Sequence, residues 1–133
     1  KRLEDSKNTY PVLIHPNVVF SDRVEFGEGS IICAGNILTV NIEIGKHVIV
    51  NLDCTIGHDV VLGDFSTILP SVNVSGAVKI EECVSIGTSS AIIQGVTIGK
   101  NTIIGAGAIV IKDLPANCTA VGAPAKPIKF NNE

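Results

Sequence analysis

One apolar residue in every six runs through this chain without interruption. From Ile14 to Val110 each sixth position is apolar, seventeen in all, among them Ile32, Leu38, Ile56, Leu62, Ile68, Ile80, Ile92 and Ile104. An α-helix repeats near 3.6 residues and a strand near 2, so neither generates a period of six. A short strand followed by a corner does. Hexapeptide repeats mark the parallel β-helix, in which each unit buries its face only against the next. The spacing predicts an all-β fold: a single-stranded parallel β-helix with three hexads to a triangular coil and nearly six coils. Residues three hexads apart then stack directly. At about 4.8 Å between stacked strands, the prism is on the order of 27 Å tall.

Two positions of each hexad face inward: the large lead residue, and a smaller one four places on, as in Val24, Ser30, Val48, Cys54, Val60, Ser66, Val78 and Ala108. The residue after the lead is glycine in seven hexads (Gly27, Gly45, Gly57, Gly63, Gly87, Gly99, Gly105), which predicts a corner with positive φ. The chain divides into a polar lead-in (1–13), the repeat (14–115) and an irregular tail rich in Ala, Pro and Lys (116–133). Starting at Lys1 without an initiator Met, it reads as a domain of a longer protein or as a processed terminus.

Composition narrows the function classes. The net charge is −3, which gives no electrostatic case for nucleic acid or an anionic membrane surface. There is no apolar run long enough to span a bilayer and no signal segment at the start, so the expectation is a soluble, cytoplasmic protein. The four cysteines, at 33, 54, 83 and 118, form no C-x-x-C pair and read as reduced thiols. Flat apolar faces and open ends are pairing surfaces, and a lone prism has no deep cleft. The expectation is a homotrimer with ligand sites on corners, between subunits.

His58 follows Ile56-Gly57 and so stands on a corner, pointing outward. An exposed turn histidine is commonly inert, but three residues bear on this one. Asp59 can orient the imidazole and leave one nitrogen free as a base; otherwise it is a solvated corner acid. Gly76 stands one coil on, stacked over His58, where it leaves room for a ligand and offers its N–H; otherwise it is turn chemistry. Asn51 occupies a corner position favoured by glycine, and asparagine also tolerates left-handed backbone. A zinc-dependent hexapeptide enzyme, like the γ-class carbonic anhydrases, needs three converging histidines. His15, His47 and His58 are not whole coils apart, so no metal is expected.

Residues 51–66, NLDCTIGHDVVLGDFS, resemble the N-x6-H-[ED]-x3-G-[DE]-[FY] segment of sugar acetyltransferases, namely the sialic acid O-acetyltransferase family and the bacillosamine-pathway N-acetyltransferases acting on a UDP-4-amino sugar. Residues 98–108, IGKNTIIGAGA, and 121–126, VGAPAK, resemble the coenzyme A end of hexapeptide acyltransferases. The resemblance implies the left-handed form of the β-helix, acetyl-coenzyme A as co-substrate, and a sugar or nucleotide-sugar acceptor attacking the thioester directly. It implies His58 as general base, Asp59 as its carboxylate, Asn51 as a polar active-site residue, and Gly76 as the N–H donor to the acetyl carbonyl. Gly105, Ala106, Gly107, Gly122 and Lys126 match the coenzyme-binding surface; Lys126 and Lys100 are candidates for its phosphates. The bacillosamine enzyme carries a second histidine nine residues after the base. Here that position is Thr67, which can hydrogen-bond substrate but cannot carry a proton. These families usually bring an N-terminal βαβ domain for the nucleotide-sugar, absent from this sequence. Two other readings remain at this level: another hexapeptide acyltransferase, of the serine or tetrahydrodipicolinate type, and a non-catalytic β-helix serving as a trimerisation or binding module.

Overall fold

The computed structural model describes residues 9–131, and its strands are short: most are two residues long, each ending on a lead residue of the repeat. Thr55–Ile56 pairs in parallel with Ile37–Leu38 beneath it and Asn73–Val74 above it, each three hexads away. Repetition of this step builds three sheets, the faces of a triangular prism. The first face runs from Leu13–Ile14 through Ile49–Val50 and Thr67–Ile68 to Ile103–Ile104. The second runs from Ile37–Leu38 to Ile109–Val110, and the third from Val24–Phe26 to Thr97–Ile98. The chain visits the faces in that order, so each coil turns three edges. The fold is the expected left-handed parallel β-helix of about six coils. Among the described residues no helix is long and apolar enough to cross a membrane.

Lead residues from Ile32 to Val110 fill the interior as one continuous core. At the lower end the pattern gives way. Phe20 is 44% exposed, set edge-on against Phe26 with ring centroids 5.3 Å apart. Buried polar side chains are all satisfied by backbone: Ser30 Oγ donates to Gly45 O (2.7 Å), and Thr102 Oγ1 to Pro115 O (2.8 Å). All four cysteines are free thiols.

The corners correct one expectation. The glycines after the lead residue do not have positive φ. The left-handed residue lies two places further on, at every sixth position from Gly29 (φ 73) through Asn41, His47, Asp53, Asp59, Phe65 and Ala77 to Gly107 (φ 69). Its N–H donates to a carbonyl one coil below, as Asp59 N does to Val40 O (3.0 Å) and Phe65 N to Lys46 O (2.9 Å). The glycines serve close approach instead. A Cβ on Gly63 would lie 2.6 Å from Glu82 N, and one on Gly57 would lie 2.7 Å from Gly76 N.

The tail is also more regular than expected. After Val110 the stacking interval shortens by two, with Leu114 bridging Ile98 and Thr119 pairing with Ile103. Cys118–Val121 extends the first face, and Lys126–Phe130 returns antiparallel to it. Ala125 N donates to Ile109 O (2.8 Å), which covers the upper end of the second face.

Gly63→Ala is expected to destabilise the fold by about 1–3 kcal/mol, the range for forced overpacking, because its Cβ meets backbone that cannot move without unstacking a coil. Gly95→Ala meets open space and should cost only the left-handed penalty of about 1–2 kcal/mol. Urea unfolding of the two variants measures both.

Candidate active site

The edge between the second and third faces carries His58. Buried Ile56 ends its strand, Gly57 lets the chain pass close under the next coil, and Asp59 takes the left-handed turn. The corner is clamped from both sides: Asp59 N donates to Val40 O, and Ala77 N donates to His58 O (2.7 Å). Both side chains project outward, His58 53% and Asp59 56% exposed.

His58 Nδ1 lies 2.9 Å from Asp59 Oδ2. A carboxylate has no proton to give, so Nδ1–H donates, and in the neutral ring Nε2 is then the nitrogen that carries the lone pair. Nε2 faces Gly76. A Cβ built on Gly76 would run into that ring, 2.8 Å from Cδ2. The Gly76 N–H has no hydrogen-bond partner among the described residues, like most amides at this place of the hexad; those of Lys46 and Lys100 are capped by Asp64 Oδ1 (2.8 Å) and Glu81 Oε2 (2.9 Å). A basic lone pair and an uncommitted donor therefore lie next to each other on this edge. The His58 hydrogen bond holds the Asp59 carboxyl below its ordinary range, and a hydrogen bond from Asn41, one coil beneath, adds to the effect. Asn41 carries no motif in the sequence; only its position one coil before Asp59 connects it to the pair. Below the pair opens a groove of about 600 Å³ whose polar lining includes Asp22, Arg23, Glu25, Asn41, Glu43 and Asp59.

The other candidates lie elsewhere. Asn51 is on the edge between the first and second faces; its Oδ1 accepts from Leu52 N (2.8 Å), and its carbonyl accepts from the buried Asn36 Nδ2 (2.7 Å). It is not the left-handed residue of its corner, a role that Asp53 fills (φ 56). Residues 105–107 stand on that same edge three coils higher, with Gly107 N donating to Thr88 O (2.8 Å). Gly122 (φ 100) closes over them, its carbonyl accepting from Ile109 N (3.0 Å). Thr67, half-buried, sits on the first face between Ile49 and Ser85, and Lys126 begins the exposed returning strand beside that face. Lys100 is on the edge between the third and first faces, apart from both groups. Within one chain the second face therefore separates His58, Asp59 and Gly76 from Asn51 and residues 105–107. The three histidines stand on three different edges, His47 stacked on Phe65 (centroids 5.4 Å apart).

No family model matches the chain. It is 38% identical over 126 residues to the GDP-perosamine N-acetyltransferase of Escherichia coli O157:H7, covering 90% of this chain and 57% of that protein. PerB from Caulobacter crescentus, solved in complex with CoA and GDP-perosamine, superposes with a TM-score of 0.92 at 34% identity, over 96% of this chain and 62% of that one. The acetyltransferase domain of PglB from Neisseria gonorrhoeae, solved in complex with acetyl coenzyme A, gives 0.89 at 36% identity, over 92% and 60%. The chain belongs to the hexapeptide-repeat acetyltransferases. It spans a little over half the length of the curated relatives it matches.

For this hexapeptide-repeat chain the lowered Asp59 pKa has a definite sign. A carboxyl that titrates lower in the folded state stabilises it above the unfolded pKa of about 3.9, and the contribution fades as pH falls through the folded value. Asp59→Asn should therefore lower Tm slightly at neutral pH, with the gap closing below the carboxylate range. Thermal scans of both proteins across pH 2–7 check this.

Proposed function

We propose that this chain is the acetyl-transferring domain of an acetyl-coenzyme A-dependent N-acetyltransferase whose acceptor is an amine on a nucleotide-sugar, a cytoplasmic reaction. The observation that carries the reading is His58 Nε2, freed by Asp59, beside the uncommitted N–H of Gly76. The substrates named for PerB and the perosamine enzyme support an amine acceptor.

In this mechanism neutral His58 removes a proton from the acceptor nitrogen as the C–N bond forms at the thioester carbonyl. The Gly76 N–H donates to the oxyanion, and Asp59 steadies the imidazolium. The tetrahedral intermediate then collapses, the C–S bond breaks, and coenzyme A leaves as a thiolate. A thiol pKa of about 8.5 makes that departure easy, so base strength matters more than protonation of the leaving group. Asn51 and Thr67 contribute hydrogen bonds to substrate, while residues 105–107, Gly122 and Lys126 hold the coenzyme.

These groups meet only across two copies of the chain. Both edges border the second face, whose outward residues Val19, Ile37, Thr55, Asn73, Ala91 and Ile109 carry no charge. The third face presents Glu25, Glu43 and Lys79 to solvent. The first face is uncharged too, but only the second lies between the two edges. Three copies with their second faces turned to a common axis would set the His58 edge of each against the Asn51 edge of the next.

His58→Ala is expected to lower kcat by about 10²–10⁴-fold, the usual worth of a general base, with coenzyme A affinity unchanged by calorimetry. Full turnover in that variant ends the mechanism. Ala91→Asp gathers three carboxylates near the axis and is expected to convert a sedimenting trimer to monomer. A trimer that survives the change excludes this packing.

A further inference from the structure

We infer that Asn41 is a positioning residue of this site, holding the Asp59 carboxylate so that Asp59 in turn fixes the His58 imidazole; the inference rests on the reading of His58 as the base. Asn41 stands on the same edge as Asp59, one coil beneath it. Both occupy the left-handed place of their corners, with φ 55 and 59. The bond from Asp59 N to Val40 O (3.0 Å) locks the two corners in register, so Asn41 lies one coil beneath the carboxylate and both line the same groove.

The Asp59 side chain needs such a second hold. It is 56% exposed, and an exposed pair of adjacent residues gains little from its own attraction. With the His58 N–H as sole donor, the carboxylate is free to turn about its last torsion and carry the ring with it. Donors from two sides fix its plane. The direction of Nε2 toward Gly76 then follows from a chain of contacts that begins at Asn41.

Backbone conformation alone does not account for the asparagine. The same left-handed place holds Phe65, Ala77 and Cys83 elsewhere in the prism, so the corner tolerates many side chains. Asn41 is the uncharged polar one among the side chains that line the groove with Asp59. Asp22, Arg23, Glu25 and Glu43 line the groove with it, His58 lies beside it, and the coil above presents only Gly76 and Ala77, which do not titrate.

Two variants of the full chain test this. Asn41→Gly keeps the left-handed corner and removes the amide; kcat/KM is expected to fall about tenfold, as for a modest loss of alignment, with coenzyme A affinity unchanged. Asn41→Asp is nearly isosteric and sets a second anion beneath the pair. It should raise the acid limb of kcat/KM, and the His58 titration followed by ¹⁵N NMR, by about half a pH unit to one unit. A merely structural asparagine would lower Tm in both variants and move neither titration, and that result overturns the inference. Should the chain transfer no acetyl group, the reading of His58 as base fails on its own. The ¹⁵N titration still decides Asn41: a shift in Asn41→Asp supports the contact, and an unchanged His58 in both variants refutes it.

Discussion

Parallel pairing between coils at a fixed interval of three hexads carries the whole molecule. Strands of two residues cannot stand alone, and even an isolated hairpin is marginal in water. Here Val50 is paired with Ile32 below and Ile68 above, and the same step repeats up each face. The interval also decides which side chains meet. Gly76 lies over His58 and Asp59 over Asn41 because each pair differs by one coil. A residue inserted into a strand between Asn41 and Asp59 would shift the register of that pair, and one inserted into a strand between His58 and Gly76 would shift the other, because a one-residue slip sends a strand's side chains to the opposite face. The site is thus a property of the register before it is a property of its residues.

Much of that register was legible in the sequence, because a buried face must be apolar wherever it recurs. The lead residues from Ile32 upward are the core. Where the reading failed, the physical cause was hidden from a single strand of text. A glycine after each lead residue looks like a demand for positive φ. Only the inter-coil geometry shows that the demand is for space, with the next coil's backbone less than a Cβ contact away. The left-handed residues went unread because Phe65, Ala77 and Cys83 are poor markers of that conformation. The upper end hid its order for another reason. The next lead position after Val110 would be Ala116, but Leu114 takes the seat two residues early, and an antiparallel return strand follows no hexad.

The site was legible to a similar depth. Adjacent His58 and Asp59 announce a paired imidazole, and counting one coil upward finds Gly76. Asn41 is as far below Asp59 as Gly76 is above His58, but Val40-Asn41-Ile42 carries no motif to prompt the count. The hexad count puts Asn51 and His58 on successive corners, yet the single segment that holds both, seven residues apart, suggests one site where the structure sets a whole face between them. Proximity in sequence misleads here because each hexad turns a corner.

That division bears on how the chemistry can work. His58 and Asp59 are each more than half exposed, and in water a unit charge at 4 Å is worth only about 1 kcal/mol to its partner. Asp59 can stabilise an imidazolium appreciably only when water is excluded from the edge. The unbroken repeat supplies no loop to do this. In the proposed trimer the bound coenzyme and the Asn51 edge of the neighbouring copy would supply that exclusion. A single prism would then hold the base, its carboxylate and the oxyanion donor in correct geometry and still be a weak catalyst. Assembly would act on the dielectric around those groups as much as on the list of groups present.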